Sequence, residues 1–276
     1  MINTGNHVDT VLEVKNLKAG FGDHIILDQI SFAVATREIR VILGSSGGGK
    51  STLLNAILGL MRVKEGSVSF FGEGQKEANA PISQTVRERC GVLFQNGALL
   101  SSMTLADNVA LPLRTHRPEL PLVVVEEMVA QKLESVSMLD AWHKYPAELS
   151  GGMRKRGALA RALIMNPGLL FCDEPSAGLD PVTSRALDEL LLKLRDRFGI
   201  AIVVVTHELD SIKTIADKLL FLSAGKVLFD GDLPQGLASQ EPELVKFFGR
   251  KVTVEETQRT QIAFRIKEVE NGNYQR

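Results

Sequence analysis

Only two cysteines, Cys90 and Cys172, occur in 276 residues, and their separation gives neither a metal-binding nor a redox spacing. That leaves a reduced cytosolic protein with two structural thiols as the default expectation. An excess of one charge is also missing. Lys and Arg number 32 against 33 Asp and Glu, a net charge of -1, so no global basic field points to nucleic acid. Long apolar runs are absent: "AIVVV" and "LLNAILGLM" fall well short of the roughly 18 residues a bilayer span requires. The amino terminus, "MINTGNHVDT", is polar and lacks the apolar core of a signal peptide. No internal repeat or low-complexity tract appears. What remains is ordinary for a soluble globular chain: 44% apolar and 24% charged residues, enough for one large domain or two small ones.

The pattern along the chain alternates strands with helices. "VLEVKNLKAGFGDHIILDQISFAVA" reads as short strands with a turn at "GFGD", and "REIRVILG" as a strand running into a glycine-rich loop. "KSTLLNAILGL" then reads as a helix, and "EGSVSFFGEG" as strand and turn. From about Thr104 to Ala162 the pattern is mostly helical, with Pro112, Pro118, Pro121 and Pro146 as punctuation. "PGLLFCDEP" and "IAIVVVT" read as buried parallel strands, separated by the amphipathic helix "PVTSRALDELLLKLRDRFG". "KLLFLSAGKVLFDGD" reads as a hairpin. Together these predict an α/β nucleotide-binding core with an inserted helical subdomain at about 104–162. The tail at 251–276 is polar and weakly patterned.

The chemistry concentrates at strand ends. "GSSGGGKST", from Gly44 to Thr52, satisfies G-x-x-x-x-G-K-S/T between a predicted strand and a predicted helix. Gly44, Gly47, Gly48 and Gly49 let backbone amides curl around phosphate oxygens, with Ser45 and Ser46 between them. Lys50 supplies a point charge for the β- and γ-phosphates, and the Ser51 hydroxyl, beside Thr52, suits Mg²⁺. In "LLFCDEP", Asp173 ends a strand where it can hold magnesium, and Glu174 can orient or deprotonate the attacking water. His207 follows a strand at the same sheet edge and suits the γ-phosphate and that water; a lone histidine after a strand is otherwise a loop residue. Gln95 can bind Mg²⁺ or water through its amide oxygen, where most strand-end glutamines are merely solvated. Phe21 can stack on an adenine ring or belong to the core. Finally, in "LSGGMRKRGALARAL", Ser150, Gly151 and Gly152 stand at a helix start, whose free amides and dipole suit an anion.

In this order, the phosphate loop, Gln95, "LSGGM", "LLFCDEP", "SAGLD" and His207 resemble the nucleotide-binding subunits of ABC transporters, over roughly Val11 to Gly236. The resemblance implies an ATP-binding domain over 11–250 with an antiparallel β subdomain, ATP and Mg²⁺ as ligands, and ATPase activity. It implies a homodimer in which Ser150, Gly151 and Gly152 bind the γ-phosphate of ATP held by the other copy, with Asp180 communicating across the dimer face. Met153 stands where most relatives carry glutamine, past the phosphate ligands, so ATP binding is expected to survive; Ser45, where proline is common, is a mild departure. "FQNGALLSSMTLADNVALPLRTH" and the methionine of "LSGGM" are similar to the ATPase subunits of Mla/Mce-type phospholipid transporters. That finer resemblance implies a membrane permease, an Mce-domain lipid-binding subunit reached through it, and a small regulatory subunit as partners. It implies a peripheral position on the cytoplasmic side of a bacterial inner membrane, and maintenance of outer-membrane lipid asymmetry. Another importer-like ATPase, or a soluble assembly scaffold of the same family, stays open as the alternative.

Overall fold

The structure, a computed structural model, describes residues 9–45, 47–74 and 82–249. The phosphate-loop residue Ser46 and the tail segment "KVTV" at 251–254 lie outside the described residues. The chain divides into two compact units, Met1–Gly236 and Leu237–Arg276, and every described candidate residue lies in the first.

Two sheets organise that first unit. Strands β1 (Thr10–Phe21), β2 (His24–Ala35), β4 (Val63–Phe70) and β5 (Glu73–Gly74) form an antiparallel sheet in the order β2-β1-β4-β5. The second sheet adds β3 (Ile39–Gly44), β6 (Cys90–Leu93), β7 (Leu169–Asp173), β8 (Ala201–Val205), β9 (Lys218–Ser223) and β10 (Lys226–Asp232), in the order β10-β9-β3-β8-β7-β6. All its neighbours pair in parallel except the β9–β10 hairpin. β3 and β8 are buried along their whole length; β8 is accordingly a continuous apolar run without alternation, and the one charged residue of β3, Arg40, is paired with Glu38 and Asp230.

Helix α1 (Lys50–Ile57) joins the sheets. Its Leu53 and Ile57 pack in one cluster with Leu12 and Ile30 of the antiparallel sheet and Phe171 and Val203 of the parallel one. Fully burying side chains of this size stabilises by about 1.5–3 kcal/mol each, so the start of α1 sits on a rigid base. Helix α2 (Gln84–Glu88) precedes β6. Residues 105–163 then hold α3 (Leu105–His116), α4 (Leu122–Ser135), two single 3₁₀ turns and α5 (Gly151–Leu163). Helix α6 (Pro181–Phe198), capped by the Asp180 carboxylate and stopped at Gly199, and α7 (Leu209–Ile215) follow; α8 (Leu233–Ala238) and α9 (Pro242–Phe247) come last.

One expectation fails in detail. Pro112 does not punctuate: it lies inside α3. Its ring removes the N–H that would bond the Asn108 carbonyl. The helix continues because Leu105, Val109 and Leu113 are buried on one face, and because the Asn108 amide ties Leu100, Met103 and Thr104 to it. The other prolines do mark boundaries: Pro118 follows α3, Pro121 precedes α4 and Pro146 opens a 3₁₀ turn. The thiols behave as structural groups. Burial pushes Cys90 up to about 12 and raises buried Cys172 as well, so neither forms a thiolate near neutral pH.

Candidate active site

The strand order β3-β8-β7-β6 brings four loop ends to neighbouring positions on the carboxyl edge of the sheet. The glycine loop leaves β3, His207 follows β8, Asp173 ends β7 with Glu174 next, and Gln95 follows β6. Parallel sheets keep their ligands at this edge.

The loop from β3 to α1 opens onto a cleft of about 560 Å³. Gly47, Gly48, Gly49, Lys50, Ser51 and Thr52 form one wall; His24, Ile25 and Ile26 of β2 and the Ala224–Gly225 turn form the other. Two glycines are geometrically required. Gly44 has φ +149, and a Cβ there would lie 1.9 Å from the Leu222 carbonyl oxygen; Gly49 has φ +99, and its Cβ would meet Leu27 Cδ2 at 2.6 Å. Gly44→Ala is therefore expected to cost on the order of 3 kcal/mol, from forced backbone conformation and overpacking together. Denaturant unfolding checks it, and a loss below about 1 kcal/mol would contradict the close approach.

Lys50 Nζ donates to the carbonyls of Gly44 at 2.9 Å and Ser45 at 3.0 Å, which curls its side chain back over the loop. Burial lowers its pKa, and the nearby Glu174 carboxylate partly offsets that. Helix α1 starts at Gly49 without a side-chain cap, so its first-turn amides take no partner from a capping side chain. Amides, a cation and a glycine cradle together fit the phosphates of a nucleoside triphosphate.

Glu174 is the second candidate for the chemistry. Its φ is +44, a left-handed conformation that costs a non-glycine residue about 1–3 kcal/mol. Its N–H donates to the Val205 carbonyl at 2.8 Å. Oε1 lies 2.8 Å from His207 Nδ1, which donates to it, while Oε2 is buried without a protein partner among the described residues. Buried carboxylate oxygens ordinarily take a hydrogen-bond partner, and a water suits this one. The His207 side chain is 66% exposed, free to contact a ligand with its other ring nitrogen. Burial, and then the Glu174 charge, raise the Asp173 pKa, while Lys155 opposes them.

Of the predicted residues, Gly47 to Thr52 line the cleft; Gln95, Asp173, Glu174 and His207 lie outside its lining on the neighbouring strand ends, and two further groups stand apart from it. Ser150 caps α5, its hydroxyl accepting from the Met153 N–H at 3.2 Å, and Asp180 caps α6 by accepting from Val182 and Thr183. The two helix starts touch: a Cβ on Gly152 would meet Thr183 Cγ2 at 2.5 Å, and one on Gly151 would meet Leu179 Cδ2 at 3.5 Å. None of Ser150, Gly151, Gly152 or Asp180 lines the cleft. Phe21 is not in its lining either; it is 66% exposed at the β1–β2 turn, and His24, its cross-strand neighbour, faces the cleft instead.

Lys155 was not anticipated. It sits within the basic run "RKR", which reads as a solvated face, yet it is 7% exposed and its Nζ donates to the carbonyls of Gln95 and Glu174, the latter at 3.0 Å. The signal was there: Lys155 is three residues after Gly152 and four before Leu159, a core-facing slot at helical spacing.

Fold and site define a phosphate-loop nucleotide hydrolase built on a parallel sheet. The model of the family described as ABC transporter matches residues 27–177, and the chain belongs to that family. It is 37% identical over 242 residues to a probable ribonucleotide transport ATP-binding protein of Mycobacterium leprae, covering 87% of this chain and 70% of that one. It is 37% identical over 254 residues to the methionine import ATP-binding protein MetN of Campylobacter jejuni, covering 87% and 76%. It is 37% identical over 237 residues to the intermembrane phospholipid transport system ATP-binding protein MlaF of Haemophilus influenzae, covering 86% and 89%. A solved ATP-binding cassette, in a dimeric post-hydrolysis state bound to ADP and Pi, aligns with TM-score 0.71 at 29% identity over 80% of this chain and 98% of its own. The chain is an ATPase, the ATP-binding subunit of a transporter, with the antiparallel β subdomain and mixed sheet of that fold.

Proposed function

We propose that two copies of this chain bind and hydrolyse MgATP between them and so drive a separate membrane permease that moves phospholipid. Lys50 and the loop amides hold the phosphates; Glu174, oriented by His207, takes the proton of the attacking water. Ser51, Gln95 and Asp173 offer the oxygen donors that Mg²⁺ prefers, and bound there the metal would neutralise charge on the β- and γ-phosphates. The paired helix starts at Ser150 and Asp180, with Val182 beside them 79% exposed, supply the face for the second copy and its nucleotide.

Among the described residues no helix is long and apolar enough to cross a membrane, so the spanning part falls to a partner. A groove of about 380 Å³ suits that partner. It lies between β6 and α3 and is lined in part by Phe94, Leu111, Pro112, His116 and Met165, with Phe94 and Leu100 exposed near the Gln95 turn. Apolar surface of this kind marks an interaction site.

Phospholipid is favoured over the cargoes named for the other relatives by one observation. The stretch 94–116 flanking this groove, with Met153 in the signature, resembles the phospholipid group. On this reading the chain sits at the cytoplasmic side of the inner membrane, reaches an Mce-domain lipid-binding subunit through the permease, can take a small regulatory subunit, and helps maintain outer-membrane lipid asymmetry. A second reading, another importer's ATPase, is favoured by the equal identity to the methionine relative. Affinity purification from membranes separates them. A permease, an Mce-domain chain and bound phospholipid are expected; a permease with a soluble amino-acid-binding protein, or no membrane protein at all, would overturn the proposal.

A further inference from the structure

Gln95 and Glu174 lie on different strand ends, yet one side chain holds both. The Lys155 ammonium, on the buried side of α5, donates to the backbone carbonyl of each. Further along the same helix, the Arg161 guanidinium donates to the carbonyls of Gly97 at 2.8 Å and Ala98 at 2.6 Å. The turn from Gln95 to Ala98 is thus pinned to α5 at both ends, and closely: a Cβ on Gly97 would lie 3.2 Å from that of Ala158.

A buried ammonium is a costly way to fill space. It is tolerated where hydrogen bonds and opposite charge compensate its lost hydration. Here two carbonyls accept from it, and Asp173, Glu174 and Glu208 surround it with negative charge. Glu174 is the residue that needs such a hold. With φ at +44, its backbone is fixed through the N–H by Val205 and through the C=O by Lys155. That backbone limits the rotamers open to the side chain, and the His207 contact at Oε1 selects among them the direction of the carboxylate.

We propose that Lys155 is a positioning residue: it sets the Glu174 carboxylate for water activation and ties that setting to the position of the Gln95 turn. Displacement of the turn by a partner in the neighbouring groove then reaches the base through one hydrogen-bonded ammonium rather than through diffuse packing. The same helix begins at Ser150, so α5 carries the signal to the signature end as well. The inference rests on the reading of Glu174 as the base.

The test uses the full chain. Lys155→Met is expected to lower kcat at least about tenfold, while KM and the affinity for a fluorescent ATP analogue stay within about twofold. Lys155→Arg, which keeps charge and donors, is expected to recover a third or more of the lost turnover, about what retained hydrogen bonds without ideal geometry allow. Losses of kcat and affinity in equal measure, unchanged turnover, or no recovery in Lys155→Arg would each overturn the proposal. If Lys155→Met does not fold, judged by the absence of a thermal transition shifted by MgATP, Lys155→Gln carries the same test. A fall in kcat of about threefold or more at constant affinity is then expected, and wild-type turnover sinks the idea. Glu174→Gln separates the two levels. If it is inactive while the Lys155 variants are not impaired, only the positioning role falls; if it turns over normally, the base assignment falls first.

Discussion

Glu174→Gln lowers ATP turnover by about a hundredfold or more while leaving nucleotide affinity within about twofold; this is the expected result for loss of a general base in an otherwise intact site. The substitution is nearly isosteric. The amide oxygen still accepts from His207 Nδ1, and the backbone holds through Val205 and Lys155 do not depend on the side chain. What disappears is basicity at a largely buried carboxylate whose second oxygen has no partner among the described residues. The phosphate loop, Lys50 and Ser51 lie on another strand end and keep their geometry. Binding without turnover makes the nucleotide-bound state accumulate, so the variant is also expected to elute as a dimer in MgATP where the wild-type chain does not. Single-turnover hydrolysis and size-exclusion chromatography measure both. Turnover within about threefold of wild type would remove Glu174 from the role, since a base contributes a factor of about 10² to 10⁴.

Much of this site was legible before any coordinates, and the reason is locality. A glycine loop between a strand and a helix, or two acids closing an apolar run, declares itself within ten residues because backbone and ligand chemistry act at that range. Alternation of strands and helices then implies a parallel sheet with these loops at one edge, and the observed strand order gathers the loop ends after β3, β6, β7 and β8. What escaped was tertiary. Pro112 reads as a boundary because local chemistry disfavours it in a helix; burial of Leu105, Val109 and Leu113 outweighs that penalty. Lys155 was not singled out because lysines are almost always solvated, and only its register against Gly152 and Leu159 betrays the buried slot. Phe21 reads equally as a stacking aromatic or a core residue; at 66% exposed it is not core, and its cross-strand neighbour His24 is the one that lines the cleft.

Mixing Ser150→Asp chains with Lys50→Ala chains is expected to restore about a quarter of wild-type turnover, although each variant alone is nearly inert, if two-fold packing makes every site from two chains. Aspartate caps a helix as well as serine does, so α5 keeps its start and the chain its stability. On the proposed reading, however, the new carboxylate stands where the other copy's phosphate would be bound, and like charges repel it. Lys50→Ala removes the cation and its hold on the Gly44 and Ser45 carbonyls, so that chain cannot bind its own nucleotide well. In a mixed dimer both defects fall on one site, and the other site joins an intact loop to an intact helix start. Random exchange makes about half the dimers mixed, each with one working site, which gives about a quarter of the full rate when the sites act independently. The alternative, a chain whose own helix start closes over its own cleft, predicts no recovery, because then neither variant holds an intact site and no mixture creates one. Differentially tagged chains establish that mixed dimers form, and hydrolysis by that fraction decides between the two arrangements.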